Sequence, residues 1–204
     1  MTQILHAGFM LLLCGMALLG GCSQPELKPI ALDAVILAFG DSLTVGVGAD
    51  PSQSYPAVLE QLSGRRVVNA GISGEETSGG RQRLTTVLDE YQPQLVILLE
   101  GGNDLLRDRD HAAIKNDLAA MIELAQQHGA QVVLLGVPSK NMLVGVPSFY
   151  AELAKQYALV FDEELVYSLL RTPGYKSDLI HLNTEGYRAL AGAIHERLTH
   201  HGAL

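Results

Sequence analysis

Three residues have the types and the spacing that nucleophilic catalysis requires. Ser42 lies in the segment Gly40-Asp41-Ser42-Leu43, and Asp178 precedes His181 by three positions. A serine hydroxyl is a poor nucleophile until a base removes its proton, and histidine has a pKa suited to that task near neutral pH. Histidine in turn needs a group that fixes its tautomer, and Asp178 can supply it from the same turn of the chain. We therefore predict that Ser42, His181 and Asp178 act as nucleophile, base and orienting carboxylate.

A scaffold must bring these residues together, and the chain alternates strand-like with helix-like segments. The strand-like runs are continuously apolar, which is typical of parallel strands that are covered on both faces. Helical patterns lie between them, so the sequence predicts a doubly wound α/β domain, in which ligands bind outside the carboxyl ends of the strands. The predicted strands are Ala34–Phe39, Arg66–Ala70, Leu95–Glu100, Gln131–Val137 and a short fifth run, Leu159–Phe161.

Two segments carry apolar residues at helical spacing and therefore predict amphipathic helices. One helix start is predicted where Ser54 is followed by Pro56, and another where Asn183 is followed by Thr184. The two apolar faces consist of Ile114, Leu118, Met121, Ile122 and Ala125, and of Tyr187, Leu190, Ala191, Ile194 and Leu198.

Four segments rich in polar residues and glycine are predicted to lie just past strand ends. Their order and spacing resemble the blocks of the SGNH, or GDSL, hydrolase family over most of the chain after residue 34. Within that family the pattern is most similar to the small bacterial arylesterases and the periplasmic thioesterase/lysophospholipase group. The resemblance implies a flavodoxin-like three-layer sandwich with a central parallel sheet of about five strands. The segments are Phe39–Thr44, Asn69–Gly74, Gly101–Asp104 and Asp178–His181.

The resemblance also implies an oxyanion hole made of the backbone N–H groups of Ser42 and Gly74 and the side-chain amide of Asn103. A neutral amide donor suits that role, whereas a carboxylate would repel the oxyanion. Leu182 follows His181 where the family often has proline, which is a departure from the pattern. The GxSxG elbow of α/β-hydrolases is absent around Ser42.

Each of these residues also has a purely structural interpretation. Ser42 could cap the helix after the first strand, Gly74 could supply a positive φ, and Asn103 could bond locally in a turn. Their joint occurrence at strand ends favours one shared site. Asp41 and Asp104, beside the site residues, are expected to make structural hydrogen bonds instead of doing acid/base chemistry.

Two segments near the predicted site bear on the substrate. Glu75 and Glu76 place negative charge beside it, which favours neutral esters over anionic ones. The apolar loop Met142–Val146 follows the fourth strand and could hold an acyl or aryl group, or could equally cap the core.

The N-terminal segment resembles the signal of a bacterial lipoprotein. Residues 1–21 contain no Asp, Glu, Lys or Arg, and their apolar run is too short to span a bilayer comfortably. Leu19-Gly20-Gly21-Cys22 resembles a lipobox, so we predict a lipidated Cys22, a tether through residue 33 and a hydrolase domain over 34–204. The alternative is an ordinary signal peptide with an accidental cysteine. The resemblance implies a periplasm-facing lipoprotein, and Ser23 favours the outer membrane over the inner one.

The overall charge excludes some partners. A net charge of −8 on 204 residues argues against nucleic acid and anionic lipid headgroups as electrostatic partners. No metal-ligand cluster with usable spacing is visible, so we expect neither a metal nor another cofactor. A monomer is the expectation.

Together these features predict a serine esterase that hydrolyses aryl or acyl esters through a Ser42 acyl-enzyme, with thioesters and lysophospholipids also open as substrates. Three other functions remain open: an envelope-glycan O-acetylesterase, an acyltransferase that prefers an alcohol to water, and a noncatalytic ligand-binding lipoprotein of the same fold. The last of these predicts saturable binding without turnover.

Overall fold

The computed structural model describes residues 25–204. The predicted signal peptide over 1–21 and the predicted lipidation at Cys22 lie outside the described residues. Within residues 25–204, no helix has both the length and the apolar character needed to cross a bilayer.

The centre of the fold is a five-stranded sheet in which every neighbouring pair of strands is parallel. The strand order is β2-β1-β3-β4-β5, so the winding direction reverses at β1. The prediction of a doubly wound domain with about five strands is confirmed, and the strand ends differ from the predicted ones by at most two residues. The strands are β1 (Val35–Gly40), β2 (Arg66–Gly71), β3 (Leu95–Leu99), β4 (Gln131–Leu135) and β5 (Val160–Asp162).

Helices cover both faces of this sheet. Because crossovers between parallel strands are right-handed, reversing the winding direction at β1 sends the helices to opposite faces. Accordingly α2 packs with α8, whereas α3 packs with α5. The helices are α1 (Ser42–Val45), α2 (Tyr55–Ser63), α3 (Thr77–Tyr91), α4 (Gly102–Leu106), α5 (His111–Gln127), α6 (Phe149–Gln156), α7 (Leu165–Arg171) and α8 (Thr184–His200).

The two amphipathic helices predicted from the sequence correspond to α5 and α8, and all ten residues of their predicted apolar faces are buried. Both predicted helix starts are confirmed. Asn183 caps α8 because its side chain accepts a hydrogen bond from the Gly186 N–H at 3.0 Å. Ser54 precedes α2 without such a bond, and its hydroxyl donates to the Pro51 carbonyl instead.

Gly40 lets β1 and β3 pack closely together at the ends that carry the predicted site. It is the last residue of β1 and pairs with Leu99, the last residue of β3. A Cβ atom at Gly40 would overlap the Leu99 carbonyl oxygen and crowd the Thr44 hydroxyl of α1. The glycine before Asp41 is therefore a packing requirement of the sheet.

We expect Gly40→Ala to lower the free energy of unfolding by about 3 kcal/mol, the upper end of typical overpacking costs, because the added methyl group meets backbone that cannot rotate away. Gly192→Ala is the matched control, since nothing lies within 4 Å of a Cβ built there in α8. It should raise the stability by about 0.5–1 kcal/mol, because alanine is the better helix former. Urea denaturation measures both, and equal midpoints for the wild type and Gly40→Ala would contradict the packing argument.

Candidate active site

The turn after β1 presents Ser42 at the start of a single helical turn. Asp41, not Ser42, is the residue that caps α1: its Oδ1 accepts a hydrogen bond from the Leu43 N–H at 2.9 Å. Gly46, with a φ of 92°, ends the helix after four residues. The capping interpretation of Ser42 is therefore wrong, and its hydroxyl remains available for another partner.

That partner is His181, which lies in the C-terminal part of the chain. The Ser42 Oγ and His181 Nε2 atoms are 3.0 Å apart, and His181 Nδ1 is 2.8 Å from Asp178 Oδ2. The second carboxylate oxygen of Asp178 accepts the backbone N–H groups of Ile180 and His181, each at 2.8 Å. The three-residue spacing therefore lets Asp178 hold both the backbone and the ring of the same turn.

The Asp178 carboxylate is stabilised in its ionised form. Partial burial raises its pKa, but the hydrogen bonds from the His181 ring and from the Ile180 and His181 N–H groups outweigh that effect. The net result is a pKa below the ordinary value of aspartate. An ionised Asp178 accepts from Nδ1–H and leaves Nε2 as the nitrogen that can take a proton from Ser42.

The remaining predicted site residues line the same cavity, which has a volume of about 670 Å³. Gly74 has a φ of 81°, a conformation that side chains disfavour, while a Cβ built there would touch nothing closer than 3.9 Å. Asn103 lies in α4 and donates one amide hydrogen to Asp41 Oδ2 at 3.2 Å. This bond crosses 62 residues, so the local-turn interpretation of Asn103 is wrong.

Asp41 and Asp104 both stabilise the site through hydrogen bonds to neighbouring residues. Burial raises the pKa of Asp41 to about 6, and its two oxygens hold Leu43 and Asn103. Asp104 accepts from the Thr77 N–H at 2.9 Å and from the Thr77 hydroxyl at 2.8 Å, which joins α4 to the start of α3. These are the structural hydrogen bonds expected from the sequence.

The negative charge predicted beside the site is neutralised. Glu75 pairs with Arg83 at 2.6 Å, and Glu76 pairs with Arg107 at 2.9 Å and Arg109 at 3.0 Å. These ion pairs weaken the electrostatic basis of the expectation that the glutamates favour neutral esters, and the sequence did not reveal them because the arginines lie 8 to 33 positions away.

The apolar loop after β4 contacts both the cavity and the core. Met142 lines the cavity, whereas Val146 packs against the core. Other lining residues carried no sequence signal, because they lie on segments without a motif: Leu106, Leu170, Arg171 and Lys176. Within residues 25–204, no group of three or more His, Cys, Asp or Glu residues is arranged to hold a metal ion.

Glu100, the residue after β3, is a buried acid beneath this site. Its side chain is fully buried, and neither carboxyl oxygen has a hydrogen-bond partner among the described residues. Burial raises its pKa well above the ordinary value, and the negative charges of Asp41, Glu75 and Asp104 raise it further, against a smaller opposing effect of Arg83. Burial therefore favours the protonated form of the Glu100 carboxyl group in the folded protein.

We expect Glu100→Gln to raise the melting temperature at pH 8 and to change it little at pH 4. The unfolded chain ionises Glu100 near its ordinary pKa of 4.5, whereas the folded chain keeps the proton to a higher pH. The wild type therefore loses stability as the pH rises above about 4.5, and glutamine, which cannot ionise, avoids this loss. Thermal unfolding from pH 4 to pH 9 measures the effect, with the exposed Glu196→Gln as control. A gain that does not depend on pH would contradict it.

Comparison with known proteins places this arrangement in a family. The model of the GDSL-like lipase/acylhydrolase family matches residues 38–189. The esterase TesA of Pseudomonas aeruginosa is 40% identical over 126 residues, which cover 59% of this chain and 63% of that protein, or less than two thirds of its length. The thioesterase 1/protease 1/lysophospholipase L1 of Escherichia coli is 30% identical over 166 residues, covering 76% of this chain and 79% of that protein.

Comparison of the fold with solved structures indicates the same family. The crystal structure of TesA superposes with a TM-score of 0.74 and 30% sequence identity, covering 82% of this chain and 99% of that one. Both the family match and the fold similarity extend over most of the described residues, and the matched region includes Ser42 and His181. The chain therefore belongs to the GDSL-like lipase/acylhydrolase family.

Proposed function

We propose that the protein is a serine esterase that hydrolyses carboxylic esters through a covalent Ser42 acyl-enzyme. The observation that carries this proposal is the double contact of the His181 ring, 3.0 Å from Ser42 Oγ and 2.8 Å from Asp178 Oδ2. A ring held between a hydroxyl and a carboxylate can take the serine proton on one side while the carboxylate stabilises the resulting imidazolium on the other.

In the first half-reaction, Ser42 Oγ attacks the ester carbonyl as its proton passes to His181 Nε2. The tetrahedral anion is held by the N–H groups of Ser42 and Gly74 and by the free amide hydrogen of Asn103. Asp41 assists by accepting the other amide hydrogen of Asn103, which fixes the orientation of that side chain. The ester C–O bond then breaks, and His181 returns the proton to the departing alcohol.

In the second half-reaction, water replaces the alcohol. His181 takes a proton from the water, the resulting hydroxide attacks the acyl group, and the carboxylic acid leaves as Ser42 regains its proton. All of these steps use only residues of this chain.

The relatives support an ester substrate but not a particular one. The names of the two similar proteins include an esterase, a thioesterase and a lysophospholipase, and we propose aryl or acyl esters as the core substrate class here. The cavity favours an acyl or aryl group, because Leu106, Val137 and Met142 present apolar surface to it. An envelope-glycan O-acetylesterase, an acyltransferase and a noncatalytic binding protein are the alternatives, and product analysis with added alcohols separates hydrolysis from acyl transfer.

We also propose that the protein is a periplasm-facing lipoprotein anchored through Cys22, in the outer membrane in preference to the inner one. The contacts of the described N-terminal segment show at which edge of the sheet the chain following such an anchor would lie. The Leu27 N–H bonds to the His201 carbonyl at 2.8 Å, and the Ala31 N–H bonds to Gln94, which precedes β3. The chain thus enters at the amino edge of the sheet, opposite to Ser42. An anchor at Cys22 would hold the catalytic edge away from its own membrane.

The first test is hydrolysis of p-nitrophenyl acetate, butyrate and octanoate. We expect turnover by the wild type, a loss of about 10⁴- to 10⁶-fold in kcat for Ser42→Ala and His181→Ala, and a loss of about 10²- to 10³-fold for Asn103→Ala. His128→Ala is the matched control, because His128 also contacts an aspartate, Asp89 at 3.2 Å, but no serine. Folded wild type without turnover on any of the three esters would sink the proposal.

The anchor is tested separately by metabolic labelling with radioactive palmitate in a Gram-negative host. We expect the label in the wild type and in Cys14→Ala, whose altered cysteine would leave with the signal peptide, but not in Cys22→Ala. Loss of the label only in Cys14→Ala, or its absence from all three proteins, would overturn the lipoprotein assignment.

A further inference from the structure

Two basic side chains in the catalytic cavity have no acidic partner. Arg171 and Lys176 line the cavity together with Ser42 and His181. Within residues 25–204, neither lies within 4.0 Å of a carboxylate. In a protein with a net charge of −8, two cations without an acidic partner in one cavity differ from the overall charge.

The other basic residues around the cavity behave differently. Lys140 also lines it but pairs with Asp108, and Arg107, which approaches Gly74, pairs with Glu76. Arg171 and Lys176 are therefore the basic side chains of this cavity that could interact with an incoming anion.

Arg171 is held in place by neutral contacts. Its guanidinium lies 5.1 Å from the centre of the Tyr167 ring, and one N–H donates to the Tyr167 hydroxyl at 2.8 Å. The Tyr167 hydroxyl in turn donates to the Met142 carbonyl at 2.9 Å. Stacking and one hydrogen bond thus orient the guanidinium while most of its five N–H donors stay without a partner among the described residues.

The position of the two cations points to the alcohol part of an ester. His181 must deliver a proton to the departing oxygen, so the alcohol lies on the side of the cavity that carries His181. Arg171 ends α7, and Lys176 pairs with Leu182 across the turn that contains Asp178 and His181. Lys176 therefore lies beside the turn of the general acid, and both cations line the same cavity as His181.

We propose that Arg171 and Lys176 form an anion subsite, so that the preferred substrate is an acyl ester of a small alcohol that carries a phosphate or carboxylate group. This inference rests on the proposed esterase function and deepens it. Charge-assisted hydrogen bonds from a guanidinium and an ammonium match the oxygens of either anion. The bond that breaks is the acyl C–O bond: water supplies hydroxide to the acyl group and a proton to the alcohol, and the anionic group is unchanged.

The test compares two substrates that differ only in this charge, 1-octanoylglycerol 3-phosphate and 1-octanoylglycerol, by titration of the released octanoate. We expect the wild type to have the higher kcat/KM for the phosphate ester. Arg171→Gln and Lys176→Gln should each lower the ratio of the two kcat/KM values about ten-fold, mainly through the KM of the phosphate ester. Arg188→Gln, which removes the same charge from an exposed pair with Glu185 on α8, should leave the ratio unchanged.

Competition separates the two sources of the anion. Glycerol 3-phosphate and glycerate are tested as inhibitors of p-nitrophenyl butyrate hydrolysis, and the tighter inhibitor identifies the preferred group. Direct calorimetric titration of glycerol 3-phosphate into the wild type and the Arg171→Gln/Lys176→Gln double variant tests the subsite without turnover, so a failure of the esterase proposal remains distinguishable. A substrate ratio that is unchanged in the double variant, or equal binding to both proteins, would overturn the subsite.

Discussion

The proposed chemistry depends on one constraint: two turns that are 139 residues apart in the sequence must keep the Ser42 hydroxyl and the His181 ring at 3.0 Å. A hydrogen bond and close packing between the two turns maintain this distance. The Tyr187 hydroxyl of α8 donates to the Val47 carbonyl after α1 at 2.8 Å. Gly48 packs so closely against Leu182 that a Cβ atom there would overlap the Leu182 carbonyl oxygen. Leu182, at the position where the family often has proline, is completely buried and therefore anchors the histidine turn through packing.

The site must also limit the repulsion between neighbouring carboxyl groups. Four carboxyl groups, those of Asp41, Glu75, Glu100 and Asp104, influence one another at the carboxyl edge of the sheet. An ion pair, hydrogen bonds and burial act on these four groups. Glu75 is ion-paired with Arg83, Asp104 accepts two hydrogen bonds from Thr77, Asp41 accepts from Leu43 and Asn103, and burial raises the pKa of Glu100, which favours its protonated form. Together these arrangements limit the negative charge that a developing oxyanion would meet.

Net charge and local charge diverge in this protein. The value of −8 describes the whole chain, and on that basis an anionic ligand is a poor partner. At the catalytic cavity, by contrast, the glutamates beside the site are paired with arginines, whereas Arg171 and Lys176 have no acidic partner among the described residues. Charges separated by more than a Debye length of about 8 Å are screened at physiological salt, so the groups lining the cavity outweigh the distant surface.

The sequence alone was sufficient for the fold class, the five strands, the helices α5 and α8 and the residues that meet at the site. These features follow from local signals: continuous apolar runs, helical periodicity and short motifs whose spacing is set by a single turn, as in Asp178 to His181. The pairing of Glu75 and Glu76 with arginines, the cap at Asp41 instead of Ser42, the bond from Asn103 to Asp41 and the unpaired state of Arg171 and Lys176 required the tertiary structure. Ion pairs, long-range hydrogen bonds and cavity walls join residues that are distant in sequence, and only the packing of helices and loops at the carboxyl edge of the sheet determines which of them meet.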